Sequence, residues 1–384
     1  MYNIKSIDIA KGLSVLFIVF LNSINYWLII DEELKYIIAY IAIFSEIFGS
    51  LLLVFSYSFE TIFILQKMMG SPPERSHRNH VIKRGLFLIL LGFLYNWIIY
   101  LVSGFTSGGW GWNIILFLGF AQIIIYFSFK LIRWARVVIG LTILLFTPIL
   151  RELLFFGKSD NIFLNVLYFF IVSPDPNLCL IPYASLCFFA SIFSELIYQA
   201  KVLDNKKAIK ISINSTLRYA IAFVLAGFAL SMTDFNPLIT SDFYNPLKYP
   251  FIDIDPILQN QDFQYILYMP EILLSGTVAY ILFTVGLLIV TIGLLFYISE
   301  VRVRENKILN GLQFFGRHSI TIIFIQYLFL PLFVYQLNIL LFVLISILFV
   351  FILGYLIYIW NKYAKDKGSI EWIIDKATIP RIMR

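Results

Sequence analysis

The sequence predicts an all-α polytopic membrane protein with about ten transmembrane helices, both termini in the cytoplasm and one short extra helix on the outer side. Of its 384 residues, 60% are hydrophobic and only 14% are charged, and the mean hydropathy is +0.86. A soluble domain of this length carries about a quarter charged residues. No long stretch escapes the apolar runs, so we expect a single integral membrane domain over 1–384.

Ten apolar stretches have about the 17–25 residues that a helix needs to cross the hydrocarbon core. They are 9–30, 36–66, 81–103, 112–130, 137–156, 178–199, 214–232, 271–299, 311–330 and 337–360. The second and the eighth are long enough to tilt or to extend beyond the bilayer. A shorter apolar piece, 161–172, cannot span, and we expect it to lie at the interface or to re-enter the membrane.

The basic residues predict the orientation, because cytoplasmic loops carry an excess of Lys and Arg. With the N-terminus inside, most basic residues fall on the inner side, including a basic tail at 361–384. The outer segments hold only Lys35, Arg151, Lys158 and Lys248. The net charge of +6 therefore reflects membrane orientation, and we expect the bilayer rather than a nucleic acid as the partner.

Two further features bound the function. The longest predicted loop, 233–270 on the outer side, holds five aspartates and three Asn-Pro or Asp-Pro pairs, and loops of this length are usually functional or mobile. Cys179 and Cys187 are eight residues apart, about 12 Å along a helix, which is too far for a disulfide. The three histidines lack the spacing of metal ligands on a helix face, so we expect no metal.

The first apolar stretch carries polar groups on one face. At about 100° per residue, one stripe collects Asp8, Gly12, Val15, Val19, Asn22 and Tyr26. A helix that faces only lipid has no use for Asp8 and Asn22. We therefore expect this face to look inward, towards other helices or a cavity.

Other polar residues also fall within apolar stretches, where buried charges are costly and usually face a bundle interior. They are Glu46, Glu60, Asn96, Gln122, Glu195, Arg218, Glu271, Arg317, His318 and Gln326. One interpretation is a set of interhelical pairs, such as Glu60 with Arg84. The other is a polar pathway or cofactor site. The basic run 67–84 is either a solvated cytoplasmic loop or a landing site for a phosphorylated ligand or anionic lipid.

The chain has no Walker motif, no GxSxG elbow, no HExxH and no Rossmann glycine pattern. Four stretches together do resemble a known family, and they occur in that family's order. They are SIDIAKGLSVLFIVFLN at 6–22; RGLFLILLGFLYN at 84–96 with GWNIILFLGFAQIIIYF at 111–127; LIPYASLCFFASIFSEL at 180–196; and FGRHSITIIFIQYLF at 315–329. The chain is similar to the transmembrane acyltransferases related to heparan-alpha-glucosaminide N-acetyltransferase and their prokaryotic relatives.

The resemblance implies acyl transfer across the cell membrane. Acetyl-CoA or another acyl-CoA would supply the acyl group from the cytoplasm, and a sugar, glycan or lipid-linked acceptor would receive it outside. Asn22 matches the family's active-site asparagine and would donate a hydrogen bond to the oxyanion, and Asp8 belongs to the same motif. The residues expected to hold coenzyme A are Lys11, Lys83, Arg84, Arg317 and His318. A homodimer is also implied by the resemblance.

The sequence departs from the family at two places. The family's histidine after the asparagine is absent, and Asp31, Glu32 and Glu33 stand there instead. A carboxylate serves as a general base when burial raises its pKa, so Glu33 or Glu32 is the expected substitute. The family's Arg-Gly is Lys11-Gly12 here. The alternative function is a non-catalytic membrane protein, either a transporter or flippase or a subunit of a membrane complex.

Overall fold

The computed structural model describes residues 4–29, 35–68, 74–103, 111–157, 161–172, 178–202, 206–233, 271–273, 275–302 and 306–378. Within these ranges the chain is almost entirely helical. The α-helices are α1 (Lys5–Trp27), α2 (Lys35–Glu46), α3 (Leu52–Met68), α4 (Glu74–Ser103), α5 (Ile114–Ser128), α6 (Arg133–Gly157), α7 (Ile162–Leu167), α8 (Leu180–Val202), α9 (Lys206–Thr233), α10 (Val278–Phe296), α11 (Lys307–Arg317), α12 (Ser319–Phe329), α13 (Ile339–Ala364) and α14 (Ile370–Thr378).

Among the described residues, seven helical segments are long and apolar enough to cross a membrane, and the bent pair α11–α12 is a candidate eighth. The seven are Lys5–Trp27, Tyr40–Lys67, Arg133–Leu150, Leu180–Val202, Lys207–Met232, Val278–Val301 and Ile339–Ala364. The all-α, multi-pass architecture predicted from the sequence is thus what the chain adopts. The predicted non-spanning piece 161–172 forms α7 and one π turn, which together are too short to cross.

Two predicted spans contain breaks that the hydropathy pattern does not reveal. The stretch 36–66 is interrupted by the π turn Ile47–Leu51, where Gly49 lies so close to α1 that a Cβ there would be 3.2 Å from the Ile18 backbone nitrogen. The stretch 311–330 is bent by 81° between α11 and α12. The bend falls at His318, whose φ of −112° and ψ of 26° leave the helical region.

The helix α1 lies at the centre of the bundle. It packs against α3, α10, α11, α12 and α13, and most of its side chains are buried, as its polar stripe predicted. By contrast, the spanning windows of α6, α9 and α13 are only 22% buried. These three helices expose leucine, isoleucine and phenylalanine, as helices in contact with lipid do.

Two glycines allow α1 and α11 to cross with their backbones in contact. A Cβ on Gly12 would collide with the Leu312 carbonyl oxygen, and a Cβ on Gly316 would collide with the Asp8 carbonyl oxygen. Small residues at such crossings let helices in membranes approach closely. The Gly12 position in the opening motif is therefore occupied by glycine for a steric reason.

The predicted basic tail folds back onto the bundle. After α13 the chain turns through Lys365, Asp366 and Gly368, whose φ angles of 49°, 62° and 85° are left-handed. It then forms α14, which packs against α4 and α12. The predicted outer loop 233–270 lies outside the described residues, except for its first residue, which ends α9.

We expect Gly316→Ala to destabilise the protein by about 1–3 kcal/mol or more, because the added methyl group must push α11 away from α1. Gly311→Ala on the same helix is the matched control, since a Cβ there meets nothing within 4 Å. Thermal unfolding in detergent measures both variants. Equal melting temperatures for the two would contradict the close crossing.

Candidate functional site

A buried group of charged and aromatic side chains joins α1, α3 and α4; we call it the charged cluster, and it contains Asp8, Lys11, Tyr57, Glu60 and Arg84. The Lys11 Nζ donates to Glu60 Oε2 at 2.6 Å and lies 4.1 Å from the centre of the Tyr57 ring. The Arg84 Nη2 lies 3.9 Å from the same Glu60 oxygen. One carboxylate thus neutralises cations from two other helices.

Helical spacing explains how these side chains meet. Asp8 and Lys11 are three residues apart on α1, and Tyr57 and Glu60 are three apart on α3, so each pair shares a helix face. Asp8 reaches the other way, to Arg317 at the end of α11, with Oδ2 and Nε 3.5 Å apart. The Asp8 side chain is nearly buried, whereas the Arg317 side chain is 48% exposed. The cluster therefore opens towards Arg317.

The N-terminus of α12 and the helix α14 close the cluster on another side. The Tyr57 hydroxyl is hydrogen-bonded to Ser319 Oγ at 2.9 Å. The Glu371 carboxylate of α14 accepts hydrogen bonds from the Ile320 and Thr321 amides at 2.7 Å and 3.2 Å and from the Thr321 hydroxyl. These bonds satisfy amide groups that a helix N-terminus leaves without partners.

A second acidic residue of α14 also faces the charged cluster. Burial raises the pKa of the Asp375 carboxyl above its ordinary value, while the nearby Arg84 guanidinium lowers it in part. Glu60 and His80 are the other charged or titratable neighbours of Asp375 among the described residues. The acidic face of α14 is therefore turned towards the buried cations.

Asn22 belongs to a separate group near the other end of α1; we call it the tyrosine cluster, and it contains Asn22, Tyr95 and Tyr327. The side chains of Asn22 and Tyr95 both lie next to the Tyr327 hydroxyl. The rings of Tyr95 and Tyr327 are in edge contact, with centroids 4.7 Å apart. Asn22 thus lies among polar neighbours of α4 and α12, as expected for a polar residue that does not face lipid.

The two clusters lie on the same helix, about 16 Å apart for eleven residues of rise. Gln326 of α12 lies between them along the chain direction, seven residues after Ser319 and so on the same helix face. Its side chain is fully buried, and neither amide atom has a hydrogen-bond partner among the described residues. The four residues before it on α12, 322–325, are all apolar, so Gln326 extends the polar region of the tyrosine cluster only.

The structure brings together some of the predicted site residues and separates others. Asp8, Lys11, Arg84 and Arg317 meet at the charged cluster. Lys83 is exposed beside it. His318 Nε2 instead lies 3.5 Å from Asp366 Oδ1 in the turn before α14. Glu32 and Glu33 lie outside the described residues.

The interhelical pairing of Glu60 with Arg84 is confirmed, and other buried acids are paired in the same way. Glu195 binds Arg133, with Oε1 and Nη2 2.9 Å apart, and also Arg136. Glu46 accepts from Tyr183 at 3.2 Å and from Ser275 at 2.6 Å. The interpretation as interhelical pairs therefore holds for Glu46, Glu60 and Glu195.

Sequence reasoning missed Tyr95, Tyr327 and Glu371. Tyr95 falls within the apolar stretch 81–103 and Tyr327 within 311–330, and the available signal was that a buried tyrosine hydroxyl needs a polar neighbour. Glu371 was hidden in a tail that appeared basic as a whole. Its signal was the pair Glu371 and Asp375, four residues apart on one helix face.

Both cysteines are free thiols, and both are buried. No group of three or more His, Cys, Asp or Glu residues able to hold a metal occurs among the described residues. No family model matches the chain, and no curated protein matches it. The site is therefore interpreted from its own geometry.

We expect Glu60→Gln to destabilise the protein by about 3 kcal/mol or more, because Lys11 and Arg84 would lose the carboxylate that neutralises them in a buried site. The control is Glu300→Gln, which breaks the more exposed pair with Lys201 and should cost about 1 kcal/mol or less. Thermal unfolding in detergent measures both. A smaller loss for Glu60→Gln than for Glu300→Gln would refute this account.

Proposed function

We propose that the chain is a membrane-embedded acyltransferase that moves an acyl group, preferably acetyl, from cytoplasmic acyl-CoA to a sugar or glycan acceptor on the outer side. The observation that carries the proposal is the layout of α1, which has a charged cluster at one end and a networked Asn22 at the other. To transfer an acyl group across a membrane, the protein needs cations that bind the phosphates of acyl-CoA on the inner side. It also needs a hydrogen-bond donor for the reacting carbonyl near the outer side.

In this proposal, ten membrane spans place both termini in the cytoplasm, and the charged cluster therefore lies at the inner side. The exposed Lys83 and the half-exposed Arg317 are the first cations that a phosphate meets there. Lys11 and Arg84 lie behind them and are held by Glu60. His318 lies beside Arg317, and Asp8 keeps Arg317 at the helix crossing.

At the outer end, the Asn22 amide donates a hydrogen bond to the thioester oxygen as it becomes an oxyanion. Tyr327 and Tyr95 position that amide. The acceptor hydroxyl or amine attacks the carbonyl carbon and gives its proton to a carboxylate, for which Glu33 is the first choice and Glu32 the second. The carbon–sulfur bond then breaks, and coenzyme A leaves as its thiol form after taking up a proton.

A specific observation favours a second candidate, a transporter or flippase. The helices α11 and α12 form a pair bent by 81°, and discontinuous helices of this kind surround the substrate sites of many transporters. In that case the polar groups along α1 and α12 line a passage, and Asn22 contacts a transported group instead of a reacting carbonyl. Turnover of acyl-CoA separates the two functions.

We expect acetyl-CoA to raise the melting temperature of the purified protein and Asn22→Ala to lower acetyl transfer about 10²- to 10³-fold, as loss of an oxyanion donor does. Binding of coenzyme A should be almost unchanged in this variant. Tyr327→Phe, which removes the hydroxyl next to Asn22, should cause a smaller loss.

Asn310→Ala is the matched control, because Asn310 is exposed on α11 and is remote from the tyrosine cluster in this proposal. Thermal shift and release of free thiol from acetyl-CoA measure binding and transfer. Wild-type protein that shows neither a shift nor thiol release would argue against acyl transfer and for the second candidate.

A further inference from the structure

The N-terminus of α12 is occupied by a carboxylate from the far end of the chain. Glu371 Oε1 accepts from the Ile320 amide at 2.7 Å and from the Thr321 amide at 3.2 Å, and its second oxygen accepts from the Thr321 hydroxyl. Three donors thus converge on one negatively charged group with two oxygens. Phosphates and carboxylates of ligands are bound by helix N-termini in the same manner.

A second observation is independent of this helix terminus. Arg84 is only 8% exposed, yet its Nε has no hydrogen-bond partner among the described residues. Its charge is stabilised by Glu60, Asp375 and Glu371. A buried guanidinium with an unused donor costs free energy unless a further acceptor binds it. Tyr57 connects this donor's side chain with the start of α12, because its ring centre is 5.8 Å from Arg84 Cζ and its hydroxyl is hydrogen-bonded to Ser319. An anionic oxygen bound there would be a partner for the Arg84 donor.

The helix α14, which supplies Glu371, follows α13 after a tight turn. Three left-handed residues, Lys365, Asp366 and Gly368, reverse the chain before α14. The pair between His318 and Asp366 holds this turn, with 3.5 Å between nitrogen and oxygen, and it is an ion pair only when the imidazole is protonated. Ile374 is the residue of α14 that is most deeply buried, at 2% exposed.

We propose that the N-terminus of α12, together with Arg84, is a binding site for an anionic group of a ligand, and that Glu371 occupies this site until the ligand displaces α14. The chemical class is a phosphate or a carboxylate, since both present the oxygens and the charge that Glu371 now supplies. The helix α14 is then an internal competitor that keeps the site closed in the free protein.

The inference goes beyond acyl transfer, because a transported anion would meet the same donors. If the ligand is acyl-CoA, one of its phosphates replaces Glu371, and this version of the inference rests on the proposed function. Inorganic phosphate and acetate are the probes that do not depend on that function. The site and the reaction can therefore fail separately.

The experiment measures how fast a cysteine at position 374 of the full-length protein reacts with a maleimide. Ile374→Cys is protected while α14 is docked and reacts when it leaves. Ile373→Cys is the matched control on the same helix, because Ile373 is 40% exposed and should react at once. The native Cys179 and Cys187 are buried, and their labelling reports global unfolding.

Adding Glu371→Gln to Ile374→Cys should raise the labelling rate about tenfold, because a neutral amide accepts weaker hydrogen bonds than a carboxylate does. Thr321→Val removes a hydroxyl that donates to Glu371 and accepts from the Ile370 amide at 3.0 Å, so it should also raise the rate. The labelling of the native cysteines should not change. An unchanged rate in the Glu371→Gln variant overturns the role of Glu371.

Ligand binding is tested in the protein that retains Glu371, with chloride at equal ionic strength as the reference. Phosphate, acetate or acetyl-CoA, whose sulfur is blocked as a thioester and does not consume the maleimide, should raise the labelling rate of Ile374→Cys about tenfold at about ten times its dissociation constant. A response to phosphate or acetyl-CoA identifies a phosphate site, and a response to acetate identifies a carboxylate site. If none of the three accelerates labelling, Glu371 is only a helix cap and the site is refuted.

The result also separates the two proposals. Acceleration by phosphate without any acetyl transfer would sink the acyltransferase and leave the anion site standing. Acetyl transfer without any effect of Glu371→Gln or of anions would sink the anion site alone.

Discussion

The charged cluster depends on the interactions of one group, the Glu60 carboxylate. It binds Lys11 of α1 directly and attracts Arg84 of α4, so one side chain ties three helices together. Without it, Lys11 would keep only the weaker attraction of Asp8, and Arg84 only that of Asp375 and Glu371, which makes their burial costly. The hydrogen bond between Tyr57 and Ser319 then connects these three helices to α12.

The sequence predicts much of the fold because membrane helices are apolar over a fixed length. Seven of the ten predicted spans, or eight with the bent pair α11–α12, the inward face of α1 and the pairing of Glu60 with Arg84 follow from hydropathy and helical spacing. The two breaks within predicted spans cannot be predicted in this way. The π turn at 47–51 lies where Gly49 approaches the backbone of α1, a contact that hydropathy cannot predict. The bend at His318 lies in the polar sequence GRHS at 316–319, which is too short to interrupt an averaged hydropathy pattern.

The candidate site was predictable only in part for a similar reason. Periodicity places Asp8, Lys11 and Asn22 on one helix face, but it does not say which residues face them. Lys11 is the closest partner of Glu60 because α1 crosses near α3, and Tyr327 meets Asn22 because α12 packs beside α1. Glu371 is the hardest case, since its contacts join residues about fifty positions apart through a helix in a tail rich in lysine.

The central place of α1 has a consequence for the order in which the protein is made. This helix is synthesised before the other described helices, yet Arg317 and Tyr327, which lie next to its Asp8 and Asn22, follow about 300 residues later. Lys11 can pair with Glu60 once α3 has been made, whereas Asp8 and Asn22 lack their neighbours until α11 and α12 have been made. During that interval the insertion machinery, or the water at the membrane border, must supply the hydrogen bonds that α11 and α12 provide in the finished protein.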